Sequence, residues 1–383
     1  MTVTTLPRRL THDLHVHLHG CLTPEDLWEL GKGVWRERRD RLDWYATHYE
    51  AATRRRPDYA AYWQADDGAT RLARDVLFDG GGNFAAFQAR FNLIIALLPI
   101  TPKDESILRL VMERDAARGV EHIEYRCYLP PHFDAATTVT YLNTLTRVVA
   151  TADLPARFVP RIALTIEREP ARATAQYGWI KDWQRAAGAM ARYVTAIDFA
   201  GYEAGDDPAN KAALFERVRA DNRQDPPRAL AVLCHVGESF ERHAVAAAAE
   251  LVANAAEAGV HRLGHAVALG LATNDAKTEL IQDELIERVA ATDAVIECCP
   301  TSNCRIAPMS DPAQHPLRRF LDAGLPVVIG TDDPGLLATS LESEAALCTE
   351  LLGISGDDLT TMNARAGGAA RSAALAGRPE DWA

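Results

Sequence analysis

The chain has 383 residues, 48% of them hydrophobic, and a formal net charge of −12. That length allows one large domain or two ordinary ones, with a sizeable core. The acidic balance argues against a nucleic-acid backbone or an anionic membrane surface as the main partner. No apolar run approaches the roughly 18 residues that a membrane span needs.

The opening MTVTTLPRRL has two arginines and no apolar stretch behind them, so it is not read as a signal peptide. Seven cysteines, an odd number at irregular positions, argue against a disulfide framework and for a reducing cytoplasm. Without a C-x-x-C pair, a thiolate zinc site is not expected.

The first predicted strand, Asp13–Leu18, carries the chain's most telling spacing, His15-Val16-His17. Side chains at i and i+2 of a strand share a face, so both imidazoles can reach one metal ion. Seven more strands are predicted: Val120–Tyr128, Phe158–Ile166, Val194–Ala200, Leu230–Val236, His261–Val267, Ala294–Cys299 and Leu325–Thr331. Helical patterns fall between most of them, among them Glu241–Ala258, Lys277–Ala291 and Pro316–Ala323. Strands alternating with helices predict βα units and a parallel sheet. Eight units predict a closed (β/α)8 TIM barrel, with a doubly wound open sheet as the structural alternative. The whole chain, 1–383, reads as one hydrolase barrel domain.

Residues 21–119 are too long for an ordinary βα loop. They are predicted to form a helical insertion after strand one, opening with Thr23 as N-cap, Pro24 at N1 and the acids Glu25 and Asp26 in the first turn. Residues 31–75 read as exposed helices with one aromatic stripe. Phe84, Phe87 and Phe91 then lie at i, i+3 and i+7. They read first as ordinary core; an insertion leaving the C-terminal rim can also cover the barrel mouth.

Functional residues of such barrels collect at the C-terminal ends of strands. Those ends hold His15, His17, His19 and Gly20; His235 and Glu238; Gly264-His265; the run Glu297-Cys298-Cys299-Pro300-Thr301-Ser302-Asn303; and Asp332-Asp333. Glu167-Arg168-Glu169 and Gly201-Tyr202-Glu203 close strands three and four. Each alone has a bland reading, a hydrogen-bonded core histidine or a turn before Pro334. Together they put three imidazoles (His15, His17, His235) and one carboxylate (Asp332) on one rim, a set that suits Zn²⁺ with room for water. A divalent ion lowers the pKa of water toward about 7. Glu238 is then placed as a general acid or base, His265 to orient or stabilise the attacking oxygen, and Asp333 to accept its proton. Hydrolysis of a polarised C–N bond is the reaction class. A phosphatase would want a second metal or a cluster of arginines.

In these stretches, together with Ala196-Ile197-Asp198-Phe199-Ala200-Gly201, the chain resembles the adenosine deaminase family of the amidohydrolase superfamily. All six motifs occur in the family's order, from strand one to strand eight. The resemblance implies one zinc per chain on His15, His17, His235 and Asp332. It implies that Glu238 protonates the purine N1, that His265 and Asp333 position and activate the nucleophile, and that Gly201 contacts the purine through its backbone. The implied substrate is a purine nucleoside or related 6-aminopurine, converted to the 6-oxopurine and ammonia. The other zinc deaminase signature, His-x-Glu with Pro-Cys-x-x-Cys, is absent.

Two departures concern the far end of the substrate. His19 stands where adenosine-specific members carry an aspartate for the ribose 5′-hydroxyl, and the family's Gly-Asp-Glu reads Gly201-Tyr202-Glu203. An imidazole is not a pure acceptor. The alternatives are therefore a 5′-modified nucleoside such as 6-aminodeoxyfutalosine, adenine, a nucleotide, or a non-catalytic metal-binding barrel.

Overall fold

Eight parallel strands, in chain order around the sheet, form the centre of the computed structural model, which describes residues 9–81, 83–203, 205–240 and 244–369. They are β1 (His12–His17), β2 (His122–Tyr128), β3 (Val159–Thr165), β4 (Val194–Phe199), β5 (Ala231–Val236), β6 (Arg262–His265), β7 (Val295–Cys298) and β8 (Val327–Ile329). Each pairs with the next in parallel register. The sheet closes where Val16 bridges Asp332. There the His17 N–H donates to the Asp332 carbonyl, and the Asp332 N–H to the His15 carbonyl, both at 2.8 Å. This closure makes a (β/α)8 TIM barrel and rules out the open sheet. The predicted strands overrun the observed ones by at most two residues at either end, and the first begins one residue late. The eighth stops at Ile329, so Asp332 reaches the rim through the closing bridge.

Helices follow the strands. The predicted helix over 277–291 spans Ala276–Ala290, that over 316–323 spans Leu317–Asp322, and that over 241–258 is observed as Val245–Ala258, residues 241–243 lying outside the described ones. Strand alternation sends Leu14 and Val328 outward, into a cluster with Ala366 and Ala369 of the helix Gly356–Ala369. Their neighbours on the other face point into the barrel.

Between β1 and β2 the chain forms the helices Pro24–Val34, Arg39–Thr53, Tyr59–Gln64, Gly68–Val76, Phe84–Leu97 and Ser106–Ala117. Thr23 caps the first in a reciprocal pair with Asp26. The stretch 31–75 is less exposed than its composition suggests. Tyr49 and Tyr62 are buried and donate to Asp75, which also accepts from Arg55. The last helix packs against Ala135–Thr151, the crossover helix that follows β2. Among the described residues, no helix is long and apolar enough to cross a membrane.

The barrel interior is not the purely apolar core that the strand pattern suggests. Arg126, Arg262, Glu124, Glu297 and Asp198 are all buried inside it. Arg126 bridges Asp198 and Glu297, while Arg262 bridges Glu297 and Glu124. Buried charges of this kind are tolerated only when paired and hydrogen-bonded.

Candidate active site

β1 and β5 deliver the imidazoles. The Nε2 atoms of His15 and His17 lie 3.1 and 3.0 Å from Nε2 of His235. Asp332 Oδ1 is 3.6 Å from His15 Nε2 and 3.3 Å from His17 Nε2. The opposite nitrogens face acceptors. His15 Nδ1 is 3.2 Å from Glu297 Oε2, and His235 Nδ1 is 3.1 Å from the Phe199 carbonyl and 3.2 Å from Asp198 Oδ1. These acceptors draw the ring protons outward and leave Nε2 lone pairs converging on one point. Converging lone pairs beside a carboxylate suit a cation. The separations match those between ligands of a tetrahedral ion held at about 2.0–2.2 Å.

The charge states agree. Burial pushes His17 down to about 3 and lowers His235. His15 goes the other way: burial and Arg126 lower it, but its contacts with Asp332 and Glu297 outweigh them and raise it. Burial works against the Asp332 carboxylate too, yet His15 and the surrounding imidazoles hold it well below the usual range. The centre is built to stabilise positive charge. The residues present therefore fit a divalent metal.

The remaining predicted groups face the same space. His265 Nε2 lies 3.5 Å from Glu238 Oε1. His17, Asp332 and Asp333 offer ligand atoms within 4.8 Å of one another. Burial, together with the charges of Asp332 and Glu238, raises the Asp333 carboxyl well above its ordinary value. Gly20 makes room for it: a Cβ there would lie 1.6 Å from Asp333 Oδ1. His265, Ala266 and Asp332 have φ of 66°, 52° and 63°, left-handed values that side chains rarely adopt. Such strain persists where surrounding contacts over-determine it.

A cavity of about 400 Å³ opens over this rim. Gly201, at φ 82°, presents its backbone there, and His19 and Tyr202 also line it. Phe84 and Phe87 are buried core residues, Phe91 is half-buried against that core, and all three are cavity wall: the helix Phe84–Leu97 lays them over the mouth, and the Phe84 ring lies 5.9 Å from that of Tyr202. Of the residues singled out in the sequence, His17, His19, Gly201, His235, Glu238, His265, Asp332 and Asp333 line this cavity, and His15 is buried against His235.

Several residues with no predicted role complete it. Arg126 and Asp198 stand behind His235, and Glu297 behind His15. Ser302 Oγ donates to Asp332 Oδ2 at 2.6 Å, and Asn303 Nδ2 lies 2.9 Å from His265 Nδ1. Glu203 accepts from the backbone N–H groups of Gly237 and Glu238, both at 2.7 Å, and of Ser239 at 2.5 Å, so it fixes the loop carrying Glu238. The strand-end motifs marked Glu203, Glu297, Ser302 and Asn303, whereas Arg126, inside a strand, carried no such mark; the partners of all of them are remote in sequence.

A closed parallel barrel with convergent imidazoles and carboxylates at its C-terminal rim defines a metal-dependent hydrolase. The profile of the family described as adenosine deaminase matches residues 70–377, and the chain belongs to that family of hydrolytic deaminases. Among curated relatives, an adenine deaminase of Rhizobium rhizogenes is 33% identical over 169 residues, 44% of this chain. That match spans 45% of the relative's length. An adenine deaminase of Sphingopyxis alaskensis is 25% identical over 353 residues, 91% of this chain and 86% of the relative. The fold is similar to that of an adenine deaminase from Arthrobacter aurescens, with a TM-score of 0.66, 19% identity, and 94% and 93% of the two chains covered. It is also similar to an Arabidopsis N6-mAMP deaminase, with a TM-score of 0.64, 19% identity, and 95% and 94% covered.

Proposed function

We propose that the protein is a zinc-dependent deaminase that hydrolyses an uncharged 6-aminopurine, as free base or nucleoside, to the 6-oxopurine and ammonia. The observation that carries this is the convergence of His15, His17, His235 and Asp332 directly beneath a purine-sized cavity faced by Glu238, His265 and Asp333. Zinc is the ion that three imidazoles and a carboxylate suit, and when bound it makes water nucleophilic near neutral pH. Glu238 donates a proton to the ring nitrogen next to the reacting carbon. His265 donates a hydrogen bond to the attacking oxygen. Asp333 takes the proton that oxygen sheds and passes it toward the departing amine. Gly201 lets the purine approach backbone. One zinc per chain is expected by elemental analysis; a ratio near zero after reconstitution, or a different metal restoring more activity, overturns the metal assignment.

The cavity's charge supports an uncharged substrate over a nucleotide. Two guanidinium groups line it among the described residues, Arg126 and Arg168. Arg126 is committed to Asp198 and Glu297. Arg168 is committed to Asp206 at 2.7 Å and to the carbonyls of Phe199, Ala200 and His235. Among the described residues a phosphate would meet no uncommitted guanidinium there, and Phe84, Phe87, Phe91 and Ile95 form an apolar part of the wall. Desolvating a phosphate against such a wall is costly. kcat/KM for adenine or adenosine is expected to exceed that for AMP by on the order of 100-fold or more, given the cost of an unpaired buried charge. AMP turning over as well as either would refute it.

His19 separates base from nucleoside. It is buried at the cavity edge, and its Nε2 has no hydrogen-bond partner among the described residues. His19→Ala should raise KM for adenosine about tenfold, the worth of one hydrogen bond, and leave adenine unchanged. An equal effect on both would remove His19 from the sugar side.

A further inference from the structure

We propose that Asn303 and His315 are positioning residues that lock His265 in the tautomer carrying its proton on Nε2, the nitrogen that faces Glu238 and the cavity. Two backbone N–H groups, which can only donate, fix the polarity of the chain of contacts. The Leu317 N–H donates to His315 Nδ1 at 3.1 Å. A neutral imidazole accepting at Nδ1 carries its proton on Nε2, and burial keeps His315 neutral, pushing it down to about 3. His315 Nε2 lies 3.2 Å from Asn303 Oδ1. The Cys299 N–H donates to the same atom at 3.2 Å.

An amide atom facing two donors is the oxygen, because the flipped amide would set NH₂ against both. The other end of the amide, Nδ2, is therefore what sits 2.9 Å from His265 Nδ1. An NH₂ group only donates, so His265 Nδ1 accepts and the ring proton is left on Nε2. Cys299, Asn303, His265 and His315 are all buried, so bulk water does not compete for these polar atoms.

The local fold serves the arrangement. The helix Pro300–Ile306 begins two residues after β7 and swings Asn303 back beneath the rim. The Ala266 N–H donates to the Gly264 carbonyl at 2.9 Å, a tight turn that aims the His265 ring while holding its backbone left-handed. In this polarity His265 gives a hydrogen bond and does not take a proton at Nε2. Proton transfer is left to Glu238 and Asp333.

For the direction of its effect on turnover, the inference rests on the proposed deaminase reading; the tautomer itself is measured independently. The test is long-range ¹H–¹⁵N NMR of the full chain labelled with ¹⁵N-histidine, with and without zinc, the His265 signals being assigned by their loss in His265→Asn. The expected spectrum shows His265 with protonated Nε2 and unprotonated Nδ1. Protonated Nδ1 in the wild type overturns the proposal, whatever any variant does. In Asn303→Asp the carboxylate only accepts, so the signature should invert. kcat should then fall about 100-fold or more, as wrong-tautomer and outer-shell changes do, with KM and bound zinc near wild type. A folded Asn303→Asp protein with wild-type kcat also overturns it. If the wild type turns over no 6-aminopurine, the deaminase reading fails, and the NMR signature still decides the tautomer.

Discussion

Glu238→Gln should lose most of the turnover, on the order of 10²–10⁴ in kcat for a general acid removed, while binding zinc and substrate as the wild type does. The substitution keeps shape and volume and removes only the exchangeable carboxyl proton. Glu238 is buried, lies 3.5 Å from His265 Nε2, and is not among the four groups that converge on the metal position. Its backbone is pinned independently, since Glu203 receives three consecutive N–H groups at residues 237–239. The side chain can therefore change without moving the loop. The measurement is steady-state kinetics beside elemental analysis and a thermal melt. A variant that keeps zinc, melting temperature and rate would remove Glu238 from the chemistry.

Arg126→Met should produce the largest loss of stability. Arg126 is buried and its guanidinium sits between Asp198 and Glu297, the carboxylates that stand 3.2 Å from the outer nitrogens of His235 and His15. Against the pull of burial, Arg126 and Arg262 hold Glu297 well below the usual carboxylate range. Methionine fills the space of the side-chain stem and leaves both carboxylates short of their cation. Breaking a buried pair in this way costs about 3–5 kcal/mol. A divalent ion bound nearby offsets part of the excess negative charge, so the deficit should be greater in the metal-free protein than in the zinc-loaded one. Denaturant unfolding of both forms checks it. Equal stability of variant and wild type after chelation would show that the network is not what holds the site's imidazoles.

His15 and His17 were legible as partners because a strand's two-residue period is a local property. Leu14, next to the pair, faces outward for the same reason, and the capping pair Thr23–Asp26 lies within one helical turn. Arg126 was not legible as a site residue. It reads as one polar letter in the predicted strand Val120–Tyr128, and its partners Asp198 and Glu297 lie 72 and 171 residues away. Asn303 belongs to a recognisable motif, yet its role depends on His315, which sits in an unremarked stretch before a short helix. The phenylalanine stripe on 84–91 had the right period for core packing. Only the seating of its helix over the rim made those rings a cavity wall as well.

By itself the sequence determined the repeating βα order, the metal-ready histidine pair, the family and the strand-end groups that face the cavity. All of these are written in spacings of a few residues. Closure of the barrel decided the rest: which acids stand behind which imidazoles, which arginines are already spent, and which way the ring of His265 is polarised. A buried charge or hydrogen bond takes its energy from every group around it, and those groups become neighbours only when remote strands meet.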